Sequence, residues 1–245
     1  MRSLAFAIRT LTRLRIGEGT LESQERSLFW FPLVGSIYGL LSVLIACLPF
    51  SAALRAALII AASAYLSRGF HLDGLADFAD GLGGGWTAER ALAIMRDSHI
   101  GAFGTLALII VLLVDHASLV SVVTEPALLF FAPIAARLMI VLASSVMPYA
   151  REGEGSASHL VRGAKPRHLV GPCAQVLLLV GLCWHYISKQ LAVRASLGLL
   201  CALAATVVVM GVSKRRLGGV TGDVLGAVAT IAECAALIGF LIPLA

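Results

Sequence analysis

Apolar residues in this chain neither alternate nor fall on one helical stripe. They run almost unbroken for about 20 residues at a time. The runs lie near 28–50, 53–68, 104–124, 126–147, 170–188, 194–212 and 224–244. At 1.5 Å per residue, all but the short second run can carry an α-helix across a hydrocarbon core of about 30 Å. The weak alternation of a transmembrane barrel strand is absent, and lipid admits only closed barrels and helices. The pattern predicts an all-α, polytopic transmembrane helical bundle of about seven spans, one integral-membrane unit over residues 1–245. Pro126 and Pro172 sit near helix starts, where a missing N–H is tolerated, and Pro32 begins or kinks the first span.

The first 16 residues are patterned differently and hold no continuous apolar core of a cleavable signal. As a helix, they place Arg2, Arg9 and Arg13 on one face and Leu4, Ile8, Leu11 and Leu14 on the other. Such a helix either lies on an anionic membrane surface or packs in the bundle.

Composition agrees: 59% of residues are hydrophobic and 13% charged, against about 25% charged in a soluble domain, and the mean hydropathy is +0.92. A net charge of +5, without a basic patch interleaved with aromatics, points to a lipid bilayer and away from nucleic acid. The five cysteines lie in or beside apolar runs with no Cys-x-x-Cys, so neither disulfides nor zinc are implied. One side of the membrane receives residues 1–27, 69–103, 148–169 and 213–223, and most of the lysines and arginines with them. The other side has only Arg55, Lys189 and Arg194. Basic loops stay inside, which predicts a cytoplasmic N-terminus.

That orientation puts the acidic segment on the cytoplasmic face. Residues 71–81 read His-Leu-Asp-Gly-Leu-Ala-Asp-Phe-Ala-Asp-Gly. Asp73, Asp77 and Asp80, at i, i+4 and i+7, fall within an arc of roughly 60° on a helix. Carboxylates so gathered repel one another unless a cation sits among them, and near a membrane that is expensive. Their hard oxygens suit Mg²⁺, and the small neighbours Gly74, Ala76, Ala79 and Gly81 leave room for a bulky ligand. The competing reading is a solvated acidic face. Gly83-Gly84-Gly85 ends this helix, and Thr87 caps a second one over about 88–97. Arg96-Asp97-Ser98 follows: Asp97 either adds a metal ligand or caps a helix end, and Arg96 and Ser98 can hold phosphate oxygens.

Arg137, deep in the fourth span, pairs with an acid or contacts substrate. The glycine-bearing basic segment 148–169, with Arg151, suits a loop closing over an anion, or a plain positive-inside loop. Residues 213–223 form a basic, glycine-bearing loop opening onto a helix, where the amides near Thr221 and Gly222 can receive phosphate and Asp223 is an N-cap or another metal carboxylate. Glu233 lies deeper and needs a partner.

His71-Leu72-Asp73-Gly74-Leu75-Ala76-Asp77, Asp80-Gly81-Leu82, Met95-Arg96-Asp97-Ser98-His99-Ile100-Gly101 and Gly218-Gly219-Val220-Thr221-Gly222-Asp223, in this order and spacing, resemble cobalamin synthase, the adenosylcobinamide-GDP ribazoletransferase family. Trp30-Phe31-Pro32-Leu33-Val34-Gly35 fits too, and His99 stands where that family has arginine. The resemblance runs from about Leu11 to the end. It implies a Mg²⁺-dependent transferase of the prokaryotic cytoplasmic (inner) membrane with its active site on the cytoplasmic face. In the implied reaction a hydroxyl of α-ribazole, or of its 5′-phosphate, attacks the cobinamide-side phosphorus of adenosylcobinamide-GDP. GMP leaves, and adenosylcobalamin or its 5′-phosphate forms. On this reading Asp73, Asp77, Asp80 and Asp97 hold the metal. Arg96, Ser98, Arg137, Arg151, Thr221 and Gly222 bind substrate, and Asp80 or Asp223 accepts the proton of the nucleophile. A homo-oligomer is left open. The enzymatic rival is a CDP-alcohol phosphatidyltransferase, which also lines up aspartates at the membrane face; the rival of another class is a divalent-cation transporter, which needs acids across the bilayer depth.

Overall fold

The computed structural model describes residues 2–17 and 24–244; residues 18–23, part of the first basic-side segment, lie outside it. The helices are α1 (Arg2–Leu11), α2 (Phe31–Ala46), α3 (Ala52–Leu66), α4 (Phe70–Gly84), α5 (Ala88–Ile94), α6 (Ala102–Val122), α7 (Pro126–Val146), α8 (Ser158–Gly163), α9 (Val170–Tyr186), α10 (Lys189–Leu217) and α11 (Gly222–Gly239), with 3₁₀ turns at Gln24–Trp30 and Pro166–Leu169. Among the described residues there is no strand, only a single parallel bridge between Tyr149 and Val220.

Among the described residues six helical stretches are long and apolar enough to cross a membrane, and α3 with α4, bent by 87°, makes a seventh if the pair is counted as one span. The bend falls where the sequence places its short second span. α3 is apolar but for Arg55 near its start and two serines, one of its own and one at its cap, whereas α4 carries three aspartates and turns away from α3 at nearly a right angle, so the acids lie off the apolar arm. Arg68 (φ 60°) and Gly69 (φ 71°) make the corner. Glycine adopts that left-handed geometry freely, whereas arginine does so at a cost of about 1–2 kcal/mol.

Burial decides which helices form the centre. In α7, 83% of the apolar window is buried and in α11 72%, against 22% in α6 and 17% in α9, which present their apolar side chains outward as lipid-facing helices do. α7 packs on α2, α10 and α11, and α11 packs on α4. The last contact places the acidic helix. A methyl added to Gly74 of α4 meets the Asp223 carbonyl at 2.6 Å and the Gly226 Cα at 3.1 Å, so the two backbones approach as only glycine allows.

The N-terminal helix touches the bundle along one side. Ala7 and Leu11 are buried, and α1 stops at Leu11 rather than running to residue 16. It stops because the Thr12 hydroxyl turns back onto the Ile8 carbonyl (2.7 Å) and the Arg13 amide donates to the Leu66 carbonyl (2.7 Å). At the far end of the bundle Arg194 holds Glu125 at 2.5 Å and the Phe240 carbonyl at 2.8 Å. That contact ties the starts of α7 and α10 to the end of α11.

Candidate active site

The acids of α4 divide by what surrounds them. Asp73 is exposed and Asp77 half-buried. Both line a cleft of ≈ 620 Å³ with Arg68, Ala76, Ser98 and Ile100. Among the described residues neither side chain accepts a hydrogen bond or joins an ion pair, whereas Asp80, Asp97 and Asp223 each have a partner. Burial first, then the charges of Asp73, Asp223 and Asp80, push the Asp77 carboxyl up to about 7; Arg151 acts in the opposite sense. A site in that condition stabilises any cation brought to it.

Asp80 has other work. It is buried, and its two oxygens accept the amides of Gly101 (2.7 Å) and Gly104 (2.9 Å). These are orphan amides at the N-terminus of α6, where a negative charge also meets the positive end of the helix dipole. The sequence groups Asp80 with its two neighbours by angle; the fold makes it a cap supplied from another helix, so its oxygens are committed and it is a poor metal ligand or base. Asp97 likewise stays in its own loop. Its Oδ1 bonds the His99 amide (3.0 Å) and lies 2.6 Å from His99 Nδ1. This turn presents Ser98, not Asp97, to the cleft.

Asp223 reaches the acidic face from α11. Its Oδ2 bonds Arg151 Nη2 at 2.8 Å and the Thr221 hydroxyl at 3.2 Å. Arg151 is carried there by a short ladder in which the Ala150 amide donates to the Val220 carbonyl (2.9 Å) and the Val220 amide to the Pro148 carbonyl (2.8 Å). Arg151 also reaches the Met95 carbonyl (3.4 Å), and its Nε is buried without a partner. Thr221 caps α11 through the Val224 amide (3.3 Å). Thr221 and Gly222 are buried, and a methyl on Gly222 meets Ser156 Oγ at 2.6 Å, so both are structural where the sequence suggested phosphate contacts.

Two other predicted cations lie elsewhere. Arg137, 2% exposed, pairs with Glu233 (2.7 Å) and stacks 4.0 Å over the Tyr38 ring. With Asp115 and His71 it lines a separate interior cavity of ≈ 80 Å³. The sequence left two readings for it, and the structure realises the paired one. Arg96 is exposed beyond α5. Two residues that sequence reasoning did not single out matter here: Arg68, at the strained corner, and Arg216, whose Nη2 caps α4 through the carbonyls of Leu82 (3.1 Å) and Gly85 (2.6 Å). The positive φ of Arg68 had no signal in the sequence.

Among the described residues, no three acidic, histidine or cysteine side chains stand at the spacing of a complete metal cage. Mg²⁺ rarely uses one; it keeps waters and takes one or two carboxylates together with substrate phosphates. Asp73 and Asp77, oxygen donors with no other partner facing a cleft, fit that mode.

The sequence profile of the cobalamin-5-phosphate synthase family matches residues 3–241. Among curated relatives, the adenosylcobinamide-GDP ribazoletransferase of Chlorobium phaeovibrioides is 38% identical over 240 residues, covering 95% of this chain and 94% of its own. That of Chlorobaculum tepidum is 39% identical over 242 residues (96% and 93%). That of Ectopseudomonas mendocina is 37% identical over 249 residues (97% and 98%). No solved structure matches the chain.

Proposed function

We infer the work of the cleft from one premise: the chain belongs to the cobalamin-5-phosphate synthase family. It is an adenosylcobinamide-GDP ribazoletransferase, and the full-length match leaves the CDP-alcohol phosphatidyltransferase and cation-transporter readings without support. Transfer takes place in the cleft of Asp73 and Asp77, on the cytoplasmic face of the inner membrane, where the basic loops gather. A hydroxyl of α-ribazole, or of its 5′-phosphate, attacks the cobinamide-side phosphorus of adenosylcobinamide-GDP. The bond to the bridging oxygen breaks, GMP departs with that oxygen, and the hydroxyl proton passes to a base.

Asp73 and Asp77 are the residues that would hold Mg²⁺ in the cleft. When bound, Mg²⁺ supplies neutralisation of the charge that gathers on the leaving phosphate. Ser98 donates its hydroxyl to a phosphate oxygen from the cleft wall. Arg68 and Arg151 add fixed positive charge on either side. With Asp80 committed to α6, Asp223 is the proton acceptor, aimed by Arg151. The contact of Gly74 with α11 keeps acceptor and metal-holding acids in one place. Arg137 supports the bundle from within and takes no part in binding.

The observation that carries this reading is the pair of partnerless carboxylates in a cleft flanked by arginines. The test is turnover of adenosylcobinamide-GDP with α-ribazole and with its 5′-phosphate, with and without Mg²⁺, followed by product mass. Transfer that persists undiminished in the metal-free protein overturns it.

A further inference from the structure

The end of α1 shapes a second polar concavity that the acidic cleft leaves unused. Arg9, Thr12, Arg13, Leu14, Arg15 and Arg68 line a cleft of ≈ 390 Å³. Arg13, Arg15 and Arg68 are exposed, and among the described residues none of the three meets a carboxylate. Arg137, Arg151 and Arg194, by contrast, each meet a carboxylate. Like charges brought together at one cleft repel unless an anion joins them.

The gathering is built by the backbone. The Thr12 hydroxyl accepts the Leu14 amide (3.0 Å), and the Arg13 amide is tied to α3 at Leu66 (2.7 Å). The Arg13 guanidinium lies 3.9 Å over the Tyr65 ring, and Arg68 Nη2 donates to the Arg9 carbonyl (3.1 Å). The turn after α1 is thereby fastened to the corner between α3 and α4.

Apolar surface adjoins the cations: Leu14 is 41% exposed, Ile16 46% and Tyr65 69%. A free phosphate needs only the arginines. A phospholipid brings phosphate and acyl chain together, and cations beside an aromatic and two aliphatic side chains at the end of a span match both parts. We propose that this arginine cleft binds a phosphate-ester anion, and that the ester is the headgroup of an anionic phospholipid. Because Arg68 lines both clefts, a lipid seated here also braces the corner that sets the direction of Asp73.

The test is a binding measurement, independent of the transfer reaction. The full chain in neutral detergent micelles is titrated calorimetrically with dihexanoyl phosphatidylglycerol, dihexanoyl phosphatidylcholine and inorganic phosphate. Phosphatidylglycerol binds more tightly than phosphatidylcholine. Arg15→Glu, which removes no side-chain contact among the described residues, weakens it on the order of tenfold or more, and Arg15→Lys retains it. Inorganic phosphate binding that depends on Arg15, with no preference for phosphatidylglycerol, keeps the phosphate cleft and overturns the lipid source. Binding of every probe indifferent to Arg15→Glu overturns the site.

Discussion

Asp80→Asn separates a structural acid from a chemical one. In the wild type one buried carboxylate receives two amides, at 2.7 and 2.9 Å, from the first turn of α6. Asparagine keeps the shape but offers one oxygen and one NH₂ group. One charged hydrogen bond becomes neutral, and the other becomes a donor facing a donor. A bond to a charged group contributes about 1.5–3 kcal/mol, and a buried unmet amide costs about 1–3 kcal/mol. The two overlap, so the expected loss is about 2–4 kcal/mol. In a chain of this size that lowers the unfolding midpoint by about 4–16 °C. The assay pairs thermal unfolding followed by size-exclusion chromatography with transfer per folded molecule at a temperature where the variant is intact. Stability falls and turnover per folded molecule is retained. An unchanged midpoint with turnover reduced by several orders of magnitude would refute the capping role and return Asp80 to the chemistry.

Asp73→Asn and Asp77→Asn each lower GMP release by roughly 100-fold or more while the protein inserts and unfolds at its usual temperature; near-normal release in either counts against the cleft. Arg151→Ala leaves Asp223 partly buried beside empty space and costs about 2–4 kcal/mol, of which Asp223→Ala in the same chain recovers a part. Turnover stays low in the double variant, since neither group is merely structural, and full recovery would show the opposite. Gly74→Ala drives a methyl into the Asp223 carbonyl and costs about 1–3 kcal/mol with loss of transfer, read by thermal unfolding and GMP release. Because the Asp77 carboxyl is pushed up to about 7, it must lose a proton before it can hold a metal. Mg²⁺ affinity measured by calorimetry therefore weakens by roughly tenfold per pH unit below 7 and levels off above it. A flat profile from pH 5 to 8 excludes Asp77 as a ligand.

The spans were legible because lipid demands long apolar runs, a constraint written into local sequence. The acidic helix was legible for the same kind of reason: three aspartates at i, i+4 and i+7 share a face whatever surrounds them. What their angle does not carry is the partner each one meets. Asp80 left the group because the loop after α5 folds back and offers amides, and no spacing within residues 71–82 encodes that. Arg151 and Asp223 lie 72 residues apart and meet through a two-bond ladder between irregular segments, which leaves no periodic trace. Arg137 and Glu233, 96 residues apart, were each recognisable as needing a partner, since a charge deep in a span must be matched. Their mutual pairing depended on how α7 and α11 pack. The early end of α1 turned on the contact of the Arg13 amide with Leu66 of α3, which is tertiary.

The acids near the cleft give the physical ground for proposing a function for Asp73 and Asp77. Folding close to a membrane penalises an unmatched carboxylate, and four acids have found partners: Asp80 with amides, Asp97 with His99, Asp223 with Arg151 and, farther in, Glu233 with Arg137. Cations were at hand for Asp73 as well, because Arg68 lines the same cleft, yet its guanidinium is turned to the Arg9 carbonyl. An unmatched pair held on a packed helix one turn apart, with Gly74 between them pressing α4 onto α11, is more rigid than a solvated acidic face requires. On the proposed function, that charge is kept for a cation shared with the diphosphate of the substrate. By the same logic Arg13, Arg15 and Arg68, which meet no carboxylate among the described residues, are open to an anion.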